Sequence, residues 1–192
     1  MHERPGVYSS YDASAVVSGG RAVRTVGVAA KAVKGDVGKA VILTGYAAGV
    51  AAFGEDAAES PGMSTLLRLL FSNGAATVTA VRVDDVGDTE AYEAAFQVLG
   101  REEAQILICD SAVQEVQQAL RTAVEEASGL RRERIALVGG DGDSAAELVE
   151  RAAALNSERM VLVGPDALNS AGERLPGVFA AAALAGVVAC ER

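Results

Sequence analysis

The sequence of 192 residues has few of the side chains on which most catalytic sites depend. Its single histidine is His2, at the N-terminus, which excludes most catalytic triads and histidine-rich metal sites. Cys109 and Cys190 are too few for a disulfide framework. Cys109 also ends an apolar run, so we expect it to be a buried thiol rather than a nucleophile, which would need a histidine partner. The sequence therefore predicts no catalytic residue.

Aromatic residues and basic runs are scarce as well. Tryptophan is absent and aromatic residues make up 4% of the chain, whereas 50% of it is hydrophobic, mostly Ala, Val and Leu. Such small residues favour closely packed α/β layers over an aromatic-lined pocket. The net charge of −9 repels phosphate backbones, so a nucleic-acid partner is not expected.

No segment of the sequence predicts a membrane partner. The first ten residues lack the apolar core of a signal peptide. The longest apolar stretch, residues 178–190, is too short to span a bilayer and is rich in alanine. We interpret that stretch as a buried helix and expect the chain to be made and kept in the cytoplasm.

From residue 39 onward, apolar runs alternate with helical patterns. Strands are predicted near 39–44, 77–83, 104–109, 134–138 and 159–163, and several are apolar on both faces, as parallel strands covered by helices must be. This alternation predicts an α/β fold with an open, mainly parallel sheet flanked by helices. Residues 1–38 fit the pattern less well, and they predict an extended N-terminal arm with edge strands.

Capping signals place the helices between these strands. Ser60 followed by Pro61 predicts one helix start, and Asp88 predicts another. Two further starts have the spacing of a capping box, Ser111 with Gln114 and Ser144 with Glu147. A last helix is predicted with Pro176 in its first turn.

The main candidate motif for ligand binding is the loop of residues 139–144, between a predicted strand and a predicted helix. Gly140 and Gly142 match the first two glycines of a dinucleotide fingerprint. Asp141 and Asp143, however, put negative charge where a pyrophosphate would bind, and the region about 20 positions later is the next apolar strand, without a close acidic residue. We interpret the loop as a turn with solvated capping carboxylates and expect no bound cofactor or metal. The alternative is a small nucleotide-binding or regulatory α/β domain that uses Gly140, Asp141, Gly142 and Asp143.

A second acidic group follows the predicted strand ends. Asp84, Asp85 and Asp88 lie after one strand, and Asp110 lies after another. Together they could form a carboxylate cluster at one sheet edge. We interpret them as residues for helix capping and solubility rather than for catalysis.

An ordered series of segments resembles the contractile phage tail sheath family. The series begins with Arg4, Pro5, Gly6, Val7 and Tyr8, similar to the PGVY-type opening of those proteins. The strand at 26–30, KAVILTGYAAGVAAFG at 39–54, the helix at 66–71 with the strand TVTAVRV, and the closing LPGVFAAAALAGVVA follow in the family's order.

The resemblance implies a structural subunit, not an enzyme, of the contractile tail sheath of a phage or phage-like injection particle. Such subunits polymerise around a tail tube and contract to drive it. The resemblance implies an N-terminal arm at residues 1–12, in which residues 4–8 contact neighbouring subunits. It also implies that residues 13–192 form an α/β sheath domain. It also implies that the family's C-terminal domain, which contacts the tube, is absent here. The implied partners are neighbouring sheath subunits and, through the C-terminal domain of the family, the tube protein. The location would be the virion tail, assembled in the bacterial cytoplasm.

Overall fold

The computed structural model describes residues 24–57, 61–168 and 172–191. Their central element is a six-stranded sheet with helices on both faces. The strands of this sheet are β1 (Val26–Ala30), β2 (Ala40–Leu43), β3 (Val78–Arg82), β4 (Ile106–Cys109), β5 (Ile135–Gly139) and β6 (Met160–Val163). The helices are α1 (Tyr46–Phe53), α2 (Met63–Ser72), α3 (Thr89–Arg101), α4 (Gln114–Gly129), α5 (Ala145–Leu155) and α6 (Gly177–Cys190). A separate antiparallel hairpin consists of β7 (Ala167–Leu168) and β8 (Arg174–Leu175).

The strand order in the sheet is β2-β3-β1-β4-β5-β6, and every neighbouring pair is parallel except β2 with β3. The predicted α/β class is confirmed, and the strands predicted near 77–83, 104–109, 134–138 and 159–163 all lie in this one sheet.

The position of β1 corrects the prediction for residues 1–38. We expected only an arm and edge strands there, but β1 lies between β3 and β4 in the middle of the sheet, and all five of its residues are buried. Its small residues suit that place because the neighbouring layers come very near. A Cβ added to Gly27 would lie 2.5 Å from Cδ2 of Leu107.

Each face of the sheet has its own hydrophobic core. Helices α1, α2 and α6 cover one face, and α3, α4 and α5 cover the other. The helices bury apolar side chains at helical spacing, and the following are at most 2% exposed: Leu66, Leu67, Leu70, Tyr92, Phe96, Leu99, Val116, Leu120 and Val124. Val113, which precedes the first turn of α4, is 53% exposed.

Two of the predicted helix starts are confirmed in detail. The Asp88 carboxylate accepts a hydrogen bond from the Ala91 amide at 2.9 Å. Ser144 and Glu147 form both bonds of a capping box at the start of α5. These carboxylates and the hydroxyl satisfy amide groups that would otherwise lack a partner at a helix start.

Two other predicted starts are wrong. Helix α4 begins at Gln114, so Val113 rather than Ser111 is at the N-cap position and the Ser111–Gln114 pair forms no capping box. The Ser111 hydroxyl accepts a hydrogen bond from the Val113 amide instead. Helix α2 begins at Met63 rather than at Pro61. A distant carboxylate, that of Asp56, provides its cap by accepting from the amides of residues 62 and 65 at 2.9 and 2.8 Å. Ser60 lies outside the described residues.

Helix α6 packs its small residues against α2 and the sheet, which confirms residues 178–190 as a buried helix. Pro176 precedes it at the N-cap position instead of lying in its first turn. A Cβ on Gly186 would lie 2.7 Å from the Leu70 carbonyl oxygen, which shows how near the two helices approach. Among the described residues, no helix has both the length and the apolar character needed to cross a membrane.

Candidate functional site

The loop of residues 139–144 lies at the carboxyl end of β5, where ligands bind in many open α/β sheets. Here the start of α6 fills the space above the loop. The Gly177 amide donates to the Gly140 carbonyl at 2.8 Å. A Cβ on Gly139 would lie 2.0 Å from the Gly177 carbonyl carbon. Glycine is therefore required at residue 139 by contact between two backbone segments, and no ligand is needed to explain it.

Asp143 turns inward from this loop to an ion pair. Nε and Nη2 of Arg151 bind the two carboxylate oxygens of Asp143 at 2.8 and 3.3 Å. The two side chains are only 13% and 16% exposed, for Arg151 and Asp143 respectively. Nη1 of Arg151 also donates to the Ala112 carbonyl oxygen at 2.7 Å. Our interpretation of Asp143 as a solvated capping carboxylate is therefore wrong; Ser144 caps the helix, and Asp143 pairs with Arg151, which joins α5 to the segment before α4.

Asp141 is held by the β7–β8 hairpin. The Arg174 guanidinium binds the carboxylates of both Asp141 and Asp166. This pairing corrects the expectation that Asp141 is free in solvent, although its side chain remains 56% exposed.

Asp166 occupies the position from which an anionic ligand would be bound. Its carboxylate accepts from the Gly142 amide at 2.9 Å and from the Gly177 amide at 3.0 Å. Desolvation would raise the pKa of Asp166, but the hydrogen bonds from Arg174 and from these amides outweigh it, and the pKa lies below its ordinary value. A nucleotide phosphate would have to displace a carboxylate of the same charge. The loop geometry therefore gives the nucleotide-binding alternative no support.

The other predicted carboxylates all lie at the carboxyl edge of the sheet but have separate partners. Asp84 accepts from the Val86 amide at 3.0 Å, and Asp85 pairs with Arg82 at 2.7 Å. Asp88 caps α3, as described above. Within the ranges that the structure describes, no three Asp, Glu, His or Cys side chains lie close enough to hold a metal ion.

Asp110 has a hydrogen-bond partner on each carboxylate oxygen, and one of these partners, Tyr92, is buried. It accepts from the Tyr92 hydroxyl and, at 3.0 Å, from the Lys31 amide. Burial raises the pKa of Asp110, although these hydrogen bonds partly oppose the rise. Burial also raises the pKa of the adjacent Cys109 thiol to about 12. The expectation that Cys109 is a buried thiol is confirmed, since the residue is 2% exposed.

The predicted inter-subunit arm, residues 4–8, lies outside the described residues. The described chain begins at Arg24, whose amide donates to the Ala189 carbonyl at 3.2 Å. Its guanidinium donates to the carbonyls of Val188 and Glu191 at 3.0 and 2.7 Å. The described part of the chain thus begins beside the end of α6.

Sequence reasoning missed the residues that close the 139–144 loop. Arg151 carried a weak signal, since it lies two turns into the helix that starts at the loop. Arg174 and Asp166 carried none, because they are more than 20 residues away in sequence and meet the loop only through the hairpin.

These observations define a class of protein: an open α/β domain whose usual ligand-binding edge is closed by its own side chains. Solved structures that share the fold include tail sheath proteins. The sheath tail protein from Desulfitobacterium hafniense aligns with 97% of this chain at a TM-score of 0.69 and 10% identity. The sheath tail protein from Listeria innocua aligns with 88% of this chain at a TM-score of 0.66 and 11% identity. The helical sheath of the anti-feeding prophage in its contracted state aligns with 98% of this chain at a TM-score of 0.58 and 19% identity.

The chain spans only part of each of these neighbours, 63%, 57% and 52% of their lengths in the same order. No family model matches the sequence, and no curated protein matches it either. The likeness therefore establishes the fold. The chain has the fold of tail sheath proteins, as the resemblance in sequence predicted.

Proposed function

We propose that the protein is a structural subunit of the contractile tail sheath of a phage or phage-like particle. The observation that carries the proposal is the extent of the fold match, which covers 97–98% of the chain in two sheath neighbours. The closed 139–144 loop supports it, because a structural subunit needs no ligand pocket at the sheet edge. The proposal assigns the protein no reaction and no cofactor.

The proposed partners are identical neighbouring subunits, joined in part by an N-terminal arm of residues 1–12 next to an α/β domain of residues 13–192. Fully extended, the 15 residues between Tyr8 and Arg24 let the two ends lie up to roughly 55 Å apart, enough to contact another subunit. The outermost strands, β2 and β6, each have one hydrogen-bonded neighbour among the described residues. An extended segment can add a strand at such an edge, with Val7 and Tyr8 on opposite faces.

The proposal places the protein in the tail of the particle, after assembly in the bacterial cytoplasm. Contraction would rearrange whole subunits, with the energy stored in assembly rather than supplied by a nucleotide. Contact with the inner tube is assigned to the portion of sheath proteins that this chain does not span.

Electron microscopy of native particles tests the sheath assignment. Antibodies raised against residues 24–191 should place gold particles along the tail sheath of particles isolated from the source cells, whereas preimmune serum should not. Gold restricted to heads or baseplates, or antigen found only in the soluble fraction, would contradict the proposal.

The arm and the nucleotide alternative have separate tests. Removing residues 1–10 should leave the melting temperature unchanged but reduce incorporation into sheaths; equal incorporation would refute the linking role of residues 4–8. Titration with nucleotides should not raise the melting temperature, since only a ligand that binds the folded state does so. A concentration-dependent rise would favour the alternative.

A further inference from the structure

An exposed apolar groove of about 390 Å³ lies between the start of β2, the end of β3 and the first turns of α3. Its walls include Val37 and Val86, which are 50% and 74% exposed, together with Ala91 and Ala94. Exposed apolar surface of this kind often marks an interaction site.

The charge along the groove is mainly negative. Asp84, Asp88 and Glu90 line it, and Arg82 is its one lining cation. The Arg82 guanidinium already binds the Asp85 carboxylate and the Gly35 carbonyl, each at 2.7 Å. The groove thus suits a partner that presents an apolar side chain flanked by cations.

The same chain carries such a segment at the turn between α4 and β5. Leu130 is 75% exposed, and Arg131 and Arg132 beside it are exposed as well. Four backbone hydrogen bonds hold the turn, from the amides of residues 130, 131 and 132 to carbonyls of the last turn of α4. Arg131 has φ of +62°, a conformation that glycine adopts with less strain, so arginine here lowers fold stability.

The groove and the turn lie at opposite ends of the molecule. Both are on the side of the sheet covered by α3 and α4, but the groove follows β3 whereas the turn precedes β5, and these strands run parallel to one another. One molecule can therefore offer its turn to a second copy while its groove receives the turn of a third. Such head-to-tail contacts build rings or open helical polymers.

We propose that the Leu130–Arg131–Arg132 turn of one copy docks in the acidic-rimmed apolar groove of a second copy. Leu130 enters between the valines and alanines, and the two arginines face Asp84 and Glu90. The inference deepens the proposed sheath function and rests on it, since it names one contact between neighbouring subunits.

Charge reversal of each side tests the contact. One variant carries Asp84→Lys with Glu90→Lys, and the other carries Arg131→Glu with Arg132→Glu. Sedimentation velocity at high protein concentration and low salt should show self-association of the unaltered protein, weakened on the order of tenfold or more in either variant. An equimolar mixture of the two variants should associate again, because the unaltered turn of one variant matches the unaltered groove of the other and the reversed turn matches the reversed groove. A chain with all four reversals should associate again.

Matched controls separate the contact from general charge effects. Glu150→Lys and Arg68→Glu change exposed charges away from both surfaces and should leave association unchanged. Arg131→Gly should raise the midpoint of urea unfolding yet weaken association, a combination that a purely structural role of Arg131 does not produce.

Three results would overturn the inference: an unaltered protein that stays monomeric, reversal variants that associate like the unaltered protein, or a mixture no better than its components. Maleimide labelling of Ala94→Cys should be fast in dilute solution and slow in concentrated solution. Protection that does not depend on concentration would instead identify a segment of the same chain as the occupant. Failure of this contact would leave the immunogold result for the sheath intact, and the two proposals can therefore fail separately.

Discussion

The two aspartates of the 139–144 loop should differ sharply when each is replaced by asparagine. Asp143 pairs with Arg151 at 2.8 Å, and both side chains are less than one-fifth exposed. Breaking a fully buried ion pair costs about 3–5 kcal/mol, whereas a solvent-exposed pair contributes about 0–1 kcal/mol. For this partly buried pair we expect Asp143→Asn to lower the free energy of unfolding by about 2 kcal/mol.

Asp141 provides the matched control within the same loop. Its pair with Arg174 is more than half exposed on both sides, and Arg174 keeps its bond to Asp166 when Asp141 is changed. Solvent screening limits such a pair to about 0.5 kcal/mol or less. Urea unfolding of both variants measures the difference. For a chain of this size, 2 kcal/mol corresponds to a fall in melting temperature of about 4–8 °C.

A double-mutant cycle with Arg151→Gln isolates the pair itself. The coupling energy between Asp143 and Arg151 should be about 1–2 kcal/mol, since they are in direct contact. Equal effects of the Asp141 and Asp143 replacements, or a coupling energy near zero, would refute the view that the ion pair of Asp143 with Arg151 stabilises the fold.

Two further predictions follow from burial and from backbone contact. The raised pKa of Asp110 means that the folded state holds this proton more tightly than the unfolded state, so the contribution of Asp110 to stability is present below pH about 4 and is lost as pH rises through the raised pKa. Asp110→Asn should therefore reduce the decline in the free energy of unfolding above pH 4, as measured by urea unfolding at several pH values. An unchanged slope of this free energy against pH would argue against the prediction, as would a change equal to that of the exposed control Asp84→Asn. Gly139→Ala should prevent stable folding or lower the free energy of unfolding by more than about 2 kcal/mol, because the new Cβ would overlap the Gly177 backbone. The control is Gly100→Ala in α3, where the space around the residue is open. This change should be neutral or stabilising by up to about 1 kcal/mol. Similar melting temperatures for these two glycine variants would show that the backbone contact is not tight.

The sheet could be predicted from the sequence because each strand has a recognisable local pattern of apolar residues. The runs ending at Cys109, Gly139 and Val163 are short, apolar on both faces and separated by helical patterns, so local pattern and global fold agree. The place of β1 could not be predicted in the same way. Strand order depends on contacts between residues far apart in sequence, such as Val26 with Val78 and Ile106, and periodicity within one strand carries no information about them.

Side-chain partners at the candidate site were even less accessible to sequence reasoning. The Ser144–Glu147 capping box was predictable because both partners lie within one helical turn. The cap of α2 was not, since Asp56 reaches it from a preceding irregular segment. Likewise the aspartates at 141 and 143 looked solvated only because their arginine partners come from later elements of the chain.

The pairing of these charges bears directly on how the domain can act. In an open α/β sheet, anions bind where free amide groups and helix starts meet at the carboxyl edge. Here the Gly142 and Gly177 amides are bound by Asp166, and Arg174 neutralises that carboxylate together with Asp141. The edge is thus satisfied by the chain's own groups, and binding there would require two ion pairs to be broken. The exposed apolar groove and the outer strands β2 and β6 need no such disruption to contact another molecule.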